Sequence, residues 1–327
     1  MYLVNYGLKK SQATLLKKQF KKWTVKNMSG SLSLTNLPPK DCQILTIHTD
    51  SVVTGDIVKK LPNLKLIIAR TAGYDHIDLS ACKRFGVQVV NCPGLNAVSV
   101  AEFTVTLMLG MYRKLVAGAK AGLVMDFNDP DLTGMELAGK TLGVVGTGAI
   151  GAKVAQIAKE FGMEVVGFDN HKNSDLIKHT KIKYMSLKQV FGRSDIVTLH
   201  VPATPMTENL VNNQLLSHAK PGMLLINTAR GSVVSEKALL RALNSGKLFG
   251  YAADVLEHEA WMTMKKSKLT PSQRQIVVFQ KLLAKHPKVL FTPHIAHATV
   301  ESAERIFRHT IELISAFGKG QKIKTII

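Results

Sequence analysis

The sequence predicts an α/β protein of two doubly wound parallel sheets. Three observations carry that expectation. Short apolar runs alternate with amphipathic stretches along nearly the whole chain, which is the pattern of βαβ units. At 327 residues there is room for about two domains, on a soft prior of ~150 residues each. Finally, Thr141–Gly151 reads Thr-Leu-Gly-Val-Val-Gly-Thr-Gly-Ala-Ile-Gly, an apolar run that ends in G-x-G-x-x-G.

The rest of the chain is organised around that stretch. Ile150, Val154, Ile157, Ala158 and Phe161 recur at steps of three and four, so a helix follows the strand. A strand that turns tightly into a helix offers free N–H groups and a positive dipole end to a pyrophosphate. Here those groups belong to Gly146, Gly148, Ala149, Ile150 and Gly151. Gly146 allows the turn, Gly148 the approach of phosphate, and Gly151 the packing of helix on strand. The glycines alone are weak support, since glycine-rich turns are common. The next strand, Glu164–Phe168, runs into Asp169, 23 positions after Gly146. A carboxylate at that spacing grips a ribose 2′-hydroxyl and repels a 2′-phosphate, favouring NAD over NADP. The plain alternative is an ordinary βαβ unit with a solvated Asp169.

Taken in order, the chain opens with Leu3–Tyr6, Ile44–Ile47, Leu66–Ala69 and Val87–Val90 as buried parallel strands, punctuated by Pro38-Pro39 and Gly55. The third of these runs into Arg70-Thr71-Ala72-Gly73, whose backbone N–H groups lie at a strand end, where open α/β sheets bind ligands. After the turn-rich Asn91–Asn96, Ser99 with Glu102 forms a capping box for a long helix to about Leu115. A domain crossing falls near residue 97. Beyond Asp169 come Ile196–His200, Met223–Asn227, Leu248–Ala253 and Val289–Thr292. Strand ends of a parallel sheet share one edge, so Arg230, Asp254 and His294 should converge there. The last helix runs from Thr299 to about Phe317, and the tail Gly318–Lys322 reads as solvated.

Composition sets bounds. The longest apolar stretches, such as Phe103–Tyr112, are too short to span a bilayer, and the N-terminus shows no signal-peptide pattern. Cys42, Cys82 and Cys92 lack metal-ligand spacing and read as reduced thiols, which points to the cytoplasm. The formal net charge is +20. Lys17, Lys18, Lys21 and Lys22 back the apolar stripe of the first helix, and Lys265, Lys266 and Lys268 form a second cluster. Such a balance serves nucleic-acid binding, steering of anionic ligands, or solubility. With no nucleic-acid motif and no aromatic interleaving, a solubilising surface is favoured.

A nicotinamide moves hydride and needs a partner to move a proton, while a 2-oxo acid needs its carboxylate held. Arginine pairs bidentately with a carboxylate, histidine exchanges a proton near neutral pH, and a carboxylate behind it favours imidazolium. Arg230, His294 and Glu259 offer that set past strand ends. Singly, each has a bland explanation: a surface pair for Arg230, one structural histidine among eleven for His294, a solvated side chain for Glu259. Together, downstream of the fingerprint, they favour a site.

These segments resemble the D-isomer-specific 2-hydroxyacid dehydrogenase family over nearly the whole chain. The resemblance rests on Arg70–Asp78, Asn96–Glu102, Gly146–Gly151, His200-Val201-Pro202, Asn227–Gly231, Asp254–Glu259 and Thr292–Ala296. It implies a Rossmann NAD-binding domain (98–297) inserted in a split flavodoxin-like substrate domain (1–97 plus 298–327). It also implies that Arg230 orients the substrate, that His294 is the acid/base, and that Glu259 raises the pKa of His294. Ala72, Gly73 and Asn96 would bind substrate beside Arg230 and His294. His200, Val201, Pro202, Thr207, Thr228, Ala229, Arg230, Asp254, His294 and Ala296 would line NAD. A homodimer through the NAD domain follows from the same resemblance.

Three features depart from the family pattern. Ala260 stands where proline is usual after the glutamate. The segment from Asp254 to His294 is long, and Lys-rich 261–281 reads as an inserted surface decoration. His297 replaces a glycine or aromatic residue, and either touches substrate or cofactor or caps the last helix. The reading that follows is reduction of a small 2-oxo acid with NADH. A formate- or phosphite-type oxidation and a NAD-sensing regulator of the co-repressor kind are its rivals.

Overall fold

The computed structural model describes residues 1–327. The chain divides into two compact units, Met1–Asn96 with Ala298–Ile327, and Ala97–His297. Each is a doubly wound α/β layer structure.

The first unit contains β1 (Tyr2–Tyr6), α1 (Lys10–Gln19), β2 (Thr24–Met28), β3 (Ile44–Ile47), α2 (Gly55–Lys59), β4 (Leu66–Ala69), α3 (Leu79–Arg84) and β5 (Gln88–Val90). Its five strands are all parallel, in the order β2-β1-β3-β4-β5, which is the flavodoxin-like order. The strands are apolar without interruption because both faces are covered. In β4, Leu66 and Ile68 enter one core while Ile67 and Ala69 enter the other. β2 carries no apolar pattern, since it is an edge strand with exposed Thr24, Lys26 and Asn27.

The second unit opens with α4 (Ala97–Tyr112) and α5 (Leu115–Leu123). It continues with β6 (Thr141–Val145), α6 (Ala149–Glu160), β7 (Glu164–Phe168), α7 (Ser174–Thr180), β8 (Lys183–Tyr184), α8 (Leu187–Arg193), β9 (Ile196–Leu199) and α9 (Asn213–Ser217). It ends with β10 (Met223–Asn227), α10 (Glu236–Asn244), β11 (Leu248–Ala253), α11 (Glu259–Thr263), α12 (Pro271–Ala284) and β12 (Val289–Phe291). The seven parallel strands lie in the order β12-β11-β10-β9-β6-β7-β8. The order reverses between β6 and β9, the Rossmann switch point at which dinucleotides bind. A last helix, α13 (Val300–Gly318), completes the first unit.

Several expectations need correction. Ser99 does not cap α4; it is 4% exposed within a helix that already starts at Ala97. The helix stops at Tyr112, and α5 is a separate element. The 261–281 segment is no loose decoration. Lys265, Lys266 and Lys268 are exposed, but α12 buries Val277, Gln280 and Leu283, and Leu283 belongs to the domain core. Of the Gly318–Lys322 tail, Lys319–Lys322 are exposed as expected, whereas Gly318 lies against the Trp23 ring; beyond it Ile326 donates its N–H to the Val89 carbonyl at 2.8 Å. The three cysteines are free and buried, and burial pushes the Cys42 thiol up to about 12. No helix is long and apolar enough to cross a membrane.

Gly143 shows how tightly α8 sits on the fingerprint strand. A Cβ there would lie 2.5 Å from Ser194 Oγ and 2.6 Å from Val190 Cγ1. Gly143→Val should therefore cost ~1–3 kcal/mol by overpacking, measured by denaturant unfolding, through displacement of α8 from β6.

Candidate active site

The strand order lines up the functional side chains. Along the C-terminal edge of the seven-stranded sheet, neighbouring strands lead, within one to three residues, to His294 (β12), Asp254 (β11), Arg230 (β10), His200 (β9), Gly146 (β6) and Asp169 (β7). At ~4.8 Å per strand this row spans about 19 Å from Gly146 to His294, a groove edge suited to an extended ligand.

At the fingerprint, Gly146 has φ +91°, and a Cβ on it would come within 2.7 Å of the His200 backbone, so the two switch-point loops touch. A Cβ on Gly151 would collide with the Gly146 carbonyl oxygen, which brings helix and strand together without an intervening side chain. Gly148 is different. It caps α6, is exposed with Ala149, and a Cβ on it would meet no protein atom within 4 Å. The fold does not require glycine there; open space above the first N–H groups of α6 suits a phosphate. These residues fit a bound pyrophosphate.

Asp169 faces the same turn. Its Oδ2 accepts from Thr147 N at 2.6 Å and Thr147 Oγ1 at 3.2 Å, and its Oδ1 accepts from His171 N at 2.9 Å. Burial alone would raise its pKa, but those hydrogen bonds hold the carboxyl below the usual range. Behind it, Tyr184 donates to Thr147 Oγ1 at 2.8 Å. Thr147 and Tyr184 were not legible as site residues, because β8 is only two residues long and a buttressing tyrosine leaves no spacing signal.

His200 is half-buried. Its Nε2 meets Thr198 Oγ1 at 3.0 Å, its Nδ1 is buried without a hydrogen bond, and burial pushes its pKa down to about 3. It is therefore neutral near pH 7. Thr207 ties the loop after Val201-Pro202 by donating to the Pro202 carbonyl at 2.6 Å. Thr228 and Ala229 are each 8% exposed, and Thr228 Oγ1 bonds Thr104 Oγ1 at 2.9 Å.

The other end of the row holds a histidine–carboxylate pair. His294 Nδ1 lies 2.7 Å from Glu259 Oε2, and Glu259 Oε1 accepts from Leu256 N at 2.9 Å. That bond to Glu259 is the main reason the His294 pKa is raised; burial and the Arg230 charge oppose it. Asp254 is 1% exposed. Its carboxylate accepts from Thr292 Oγ1 at 2.5 Å, Ile295 N at 2.9 Å and Ala296 N at 2.7 Å. Asp254 thus secures the loop that carries His294. Arg230 is half-buried and donates Nη1 to the Ala229 carbonyl at 2.8 Å.

His297 sits edge-on to His294, with ring centroids 5.5 Å apart at 89°. It is not a helix cap: Thr299 caps α13, its side chain accepting from Ser302 N at 3.1 Å. In the first unit, the Ala72 carbonyl accepts from Asn91 Nδ2 and the Gly73 carbonyl from Thr71 Oγ1, both at 2.6 Å. Asn96 Oδ1 is buried without a hydrogen bond.

A Rossmann switch point with a carboxylate at the ribose position and a carboxylate-backed histidine on the same edge defines a nicotinamide-dependent oxidoreductase. A family model described as the NAD binding domain of D-isomer specific 2-hydroxyacid dehydrogenases matches residues 105–296. A 2-hydroxyacid dehydrogenase homolog of Schizosaccharomyces pombe is 36% identical over 87% of this chain and 85% of that protein. A hydroxypyruvate reductase of Thermotoga maritima is 32% identical over 94% of each. The structure of D-lactate dehydrogenase from Aquifex aeolicus, complexed with NAD and lactic acid, superposes with a TM-score of 0.87 at 33% identity, covering 97% of this chain and 96% of that one. The chain belongs to the D-isomer-specific 2-hydroxyacid dehydrogenase family, and NAD is its cofactor.

Two glycine substitutions separate binding from folding. Gly148→Ala should weaken NADH binding at least tenfold, read by fluorescence titration, with little change in thermal stability, because the added methyl enters ligand space only. Gly151→Ala should lower the unfolding temperature itself.

Proposed function

We propose that the chain reduces a small 2-oxo acid to the D-2-hydroxy acid, with Arg230, Glu259 and His294 as the catalytic residues. The observation that carries this reading is the 2.7 Å His294–Glu259 bond on the edge that holds the nucleotide fingerprint. When bound, NADH supplies the hydride. The residues named at Gly146, Gly148–Gly151, Asp169, His200–Pro202, Thr207, Thr228, Ala229, Asp254 and Ala296 would hold it, with Asp169 on the adenosine ribose.

The chain's own groups do the remaining work. Glu259 keeps imidazolium favoured at His294, with Nδ1–H directed to the carboxylate, so Nε2 is the nitrogen left to protonate the forming alkoxide. Arg230 holds the substrate carboxylate and polarises the carbonyl. The family resemblance also assigns Ala72, Gly73 and Asn96, in the first unit, to substrate binding. In the oxidising direction, neutral His294 takes the hydroxyl proton. The glutamate partner of His294 disfavours a formate-type site, which pairs its histidine with glutamine in the family resemblance.

The protein is proposed to work as a cytoplasmic homodimer. α5 has no buried residue, and Leu123, Val124, Met125 and Phe127 are 70–85% exposed. Such an apolar patch on one domain suits a second copy.

A NADH-oxidation screen over glyoxylate, pyruvate, hydroxypyruvate and bulkier oxo acids tests the reading; no turnover with any of them contradicts it. His294→Asn should lower kcat by ~10²–10⁴ with NADH affinity preserved. Val124→Asp with Phe127→Asp should convert a dimer to a monomer by light scattering.

A further inference from the structure

In α12, within the segment the sequence assigns to the surface, one polar side chain is completely enclosed. Gln280 is 0% exposed, and its Nε2 donates to Glu236 Oε1 and to the Glu257 carbonyl, both at 2.7 Å. Its Oε1 is buried with no hydrogen-bond partner, an unfavourable state for an amide that has no task. The Glu257 carbonyl is therefore held by a side chain that Glu236 anchors in turn. Gly231 closes another side of the same peptide, since a Cβ there would overlap Glu257 N and the Leu256 carbonyl. The turn consequently rests on the backbone next to Arg230.

We propose that Gln280 and Glu236 form a clamp on the Glu257 peptide that positions Glu259 for His294. Both are positioning residues, and the proposal rests on His294 being the proton donor. Glu259 takes its orientation from the turn the clamp holds, because its Oε1 is fixed by Leu256 N and its Oε2 by the imidazole. Within that turn His258 has φ +58°, a left-handed conformation that a non-glycine residue keeps only under outside restraint. Ala260 imposes no restraint of its own on φ. α12 supplies it.

The groups facing His294 are Glu259, Asp254, Arg230 and His297. Asp254 is fixed by Thr292, Ile295 and Ala296, and only Glu259 bonds the ring. Loosening Glu259 leaves Arg230 and burial to oppose protonation.

Gln280→Met keeps the length and volume of the side chain and removes both donors. Two measurements read the outcome: NMR titration of the His294 imidazole in NAD-free protein, and the pH profile of kcat/KM for oxo-acid reduction. The imidazole should titrate at lower pH than in wild type, and reduction should be lost at correspondingly lower pH. kcat should fall about tenfold, as displaced catalytic groups do, while KM for NADH stays within about twofold. Should Gln280→Met fail to fold, Glu236→Leu removes the carboxylate that anchors Gln280 and should move the titration in the same direction. A folded variant with wild-type His294 titration and pH profile overturns the clamp, whatever its thermal stability. Failure of the proton-donor reading looks different. His294→Asn would then keep its turnover, while the imidazole titration would still decide whether the clamp sets the pair.

Discussion

The proposed chemistry of this protein depends on one short contact, the 2.7 Å bond between His294 Nδ1 and Glu259 Oε2. Both partners hang on backbone that would not hold this shape unaided. His294 has φ +56° and His258, beside Glu259, has φ +58°; non-glycine residues in that region cost of order 1–3 kcal/mol each. The surroundings offset the strain. The buried Asp254 carboxylate takes three donors from the His294 loop, and Leu256 N takes the second oxygen of Glu259. A left-handed residue at each end of the contact is consistent with a site whose geometry was favoured over local backbone comfort.

The parallel sheet sets that contact on the same edge as the nucleotide fingerprint. Because every strand of the second unit runs the same way, its end residues fall on one edge in strand order. The fingerprint glycines and the short loop that carries the histidine are therefore spaced by strands, which are stiff. At the nucleotide end the acid is likewise secured from behind, by Thr147 and then Tyr184. The same device appears at both ends: a carboxylate is fixed by backbone N–H groups so that its free face, or its partner, has one orientation.

Much of this was legible from the residues, and the reasons differ by element. β3, β4, β9, β10 and β11 could be read because strands buried on both faces are continuously apolar, and their ends lead directly to Arg230, Asp254 and His294. The turn at Gly146 was legible because its glycines meet distinct steric demands. β2 was missed because an edge strand with exposed Thr24, Lys26 and Asn27 carries no apolar pattern. Ser99 misled because a capping box marks a helix start only where the serine lies outside the helix, and here it is buried within α4. The lysines of 261–281 obscured α12, whose buried stripe of Val277, Gln280 and Leu283 includes a polar residue that composition counts as surface. Which groups buttress which carboxylate is a matter of three-dimensional neighbours far apart in sequence, and no local spacing encodes it.

The central claim, that Glu259 keeps His294 protonated for reduction, is tested most directly by the pH dependence of kcat/KM for 2-oxo-acid reduction in wild type and in Glu259→Gln. A raised pKa means the active, protonated imidazole persists below that pKa and is lost as pH rises through it. Without the carboxylate, the high-pH limb should begin at lower pH and the plateau should drop. Coincident profiles for the two proteins would contradict the claim.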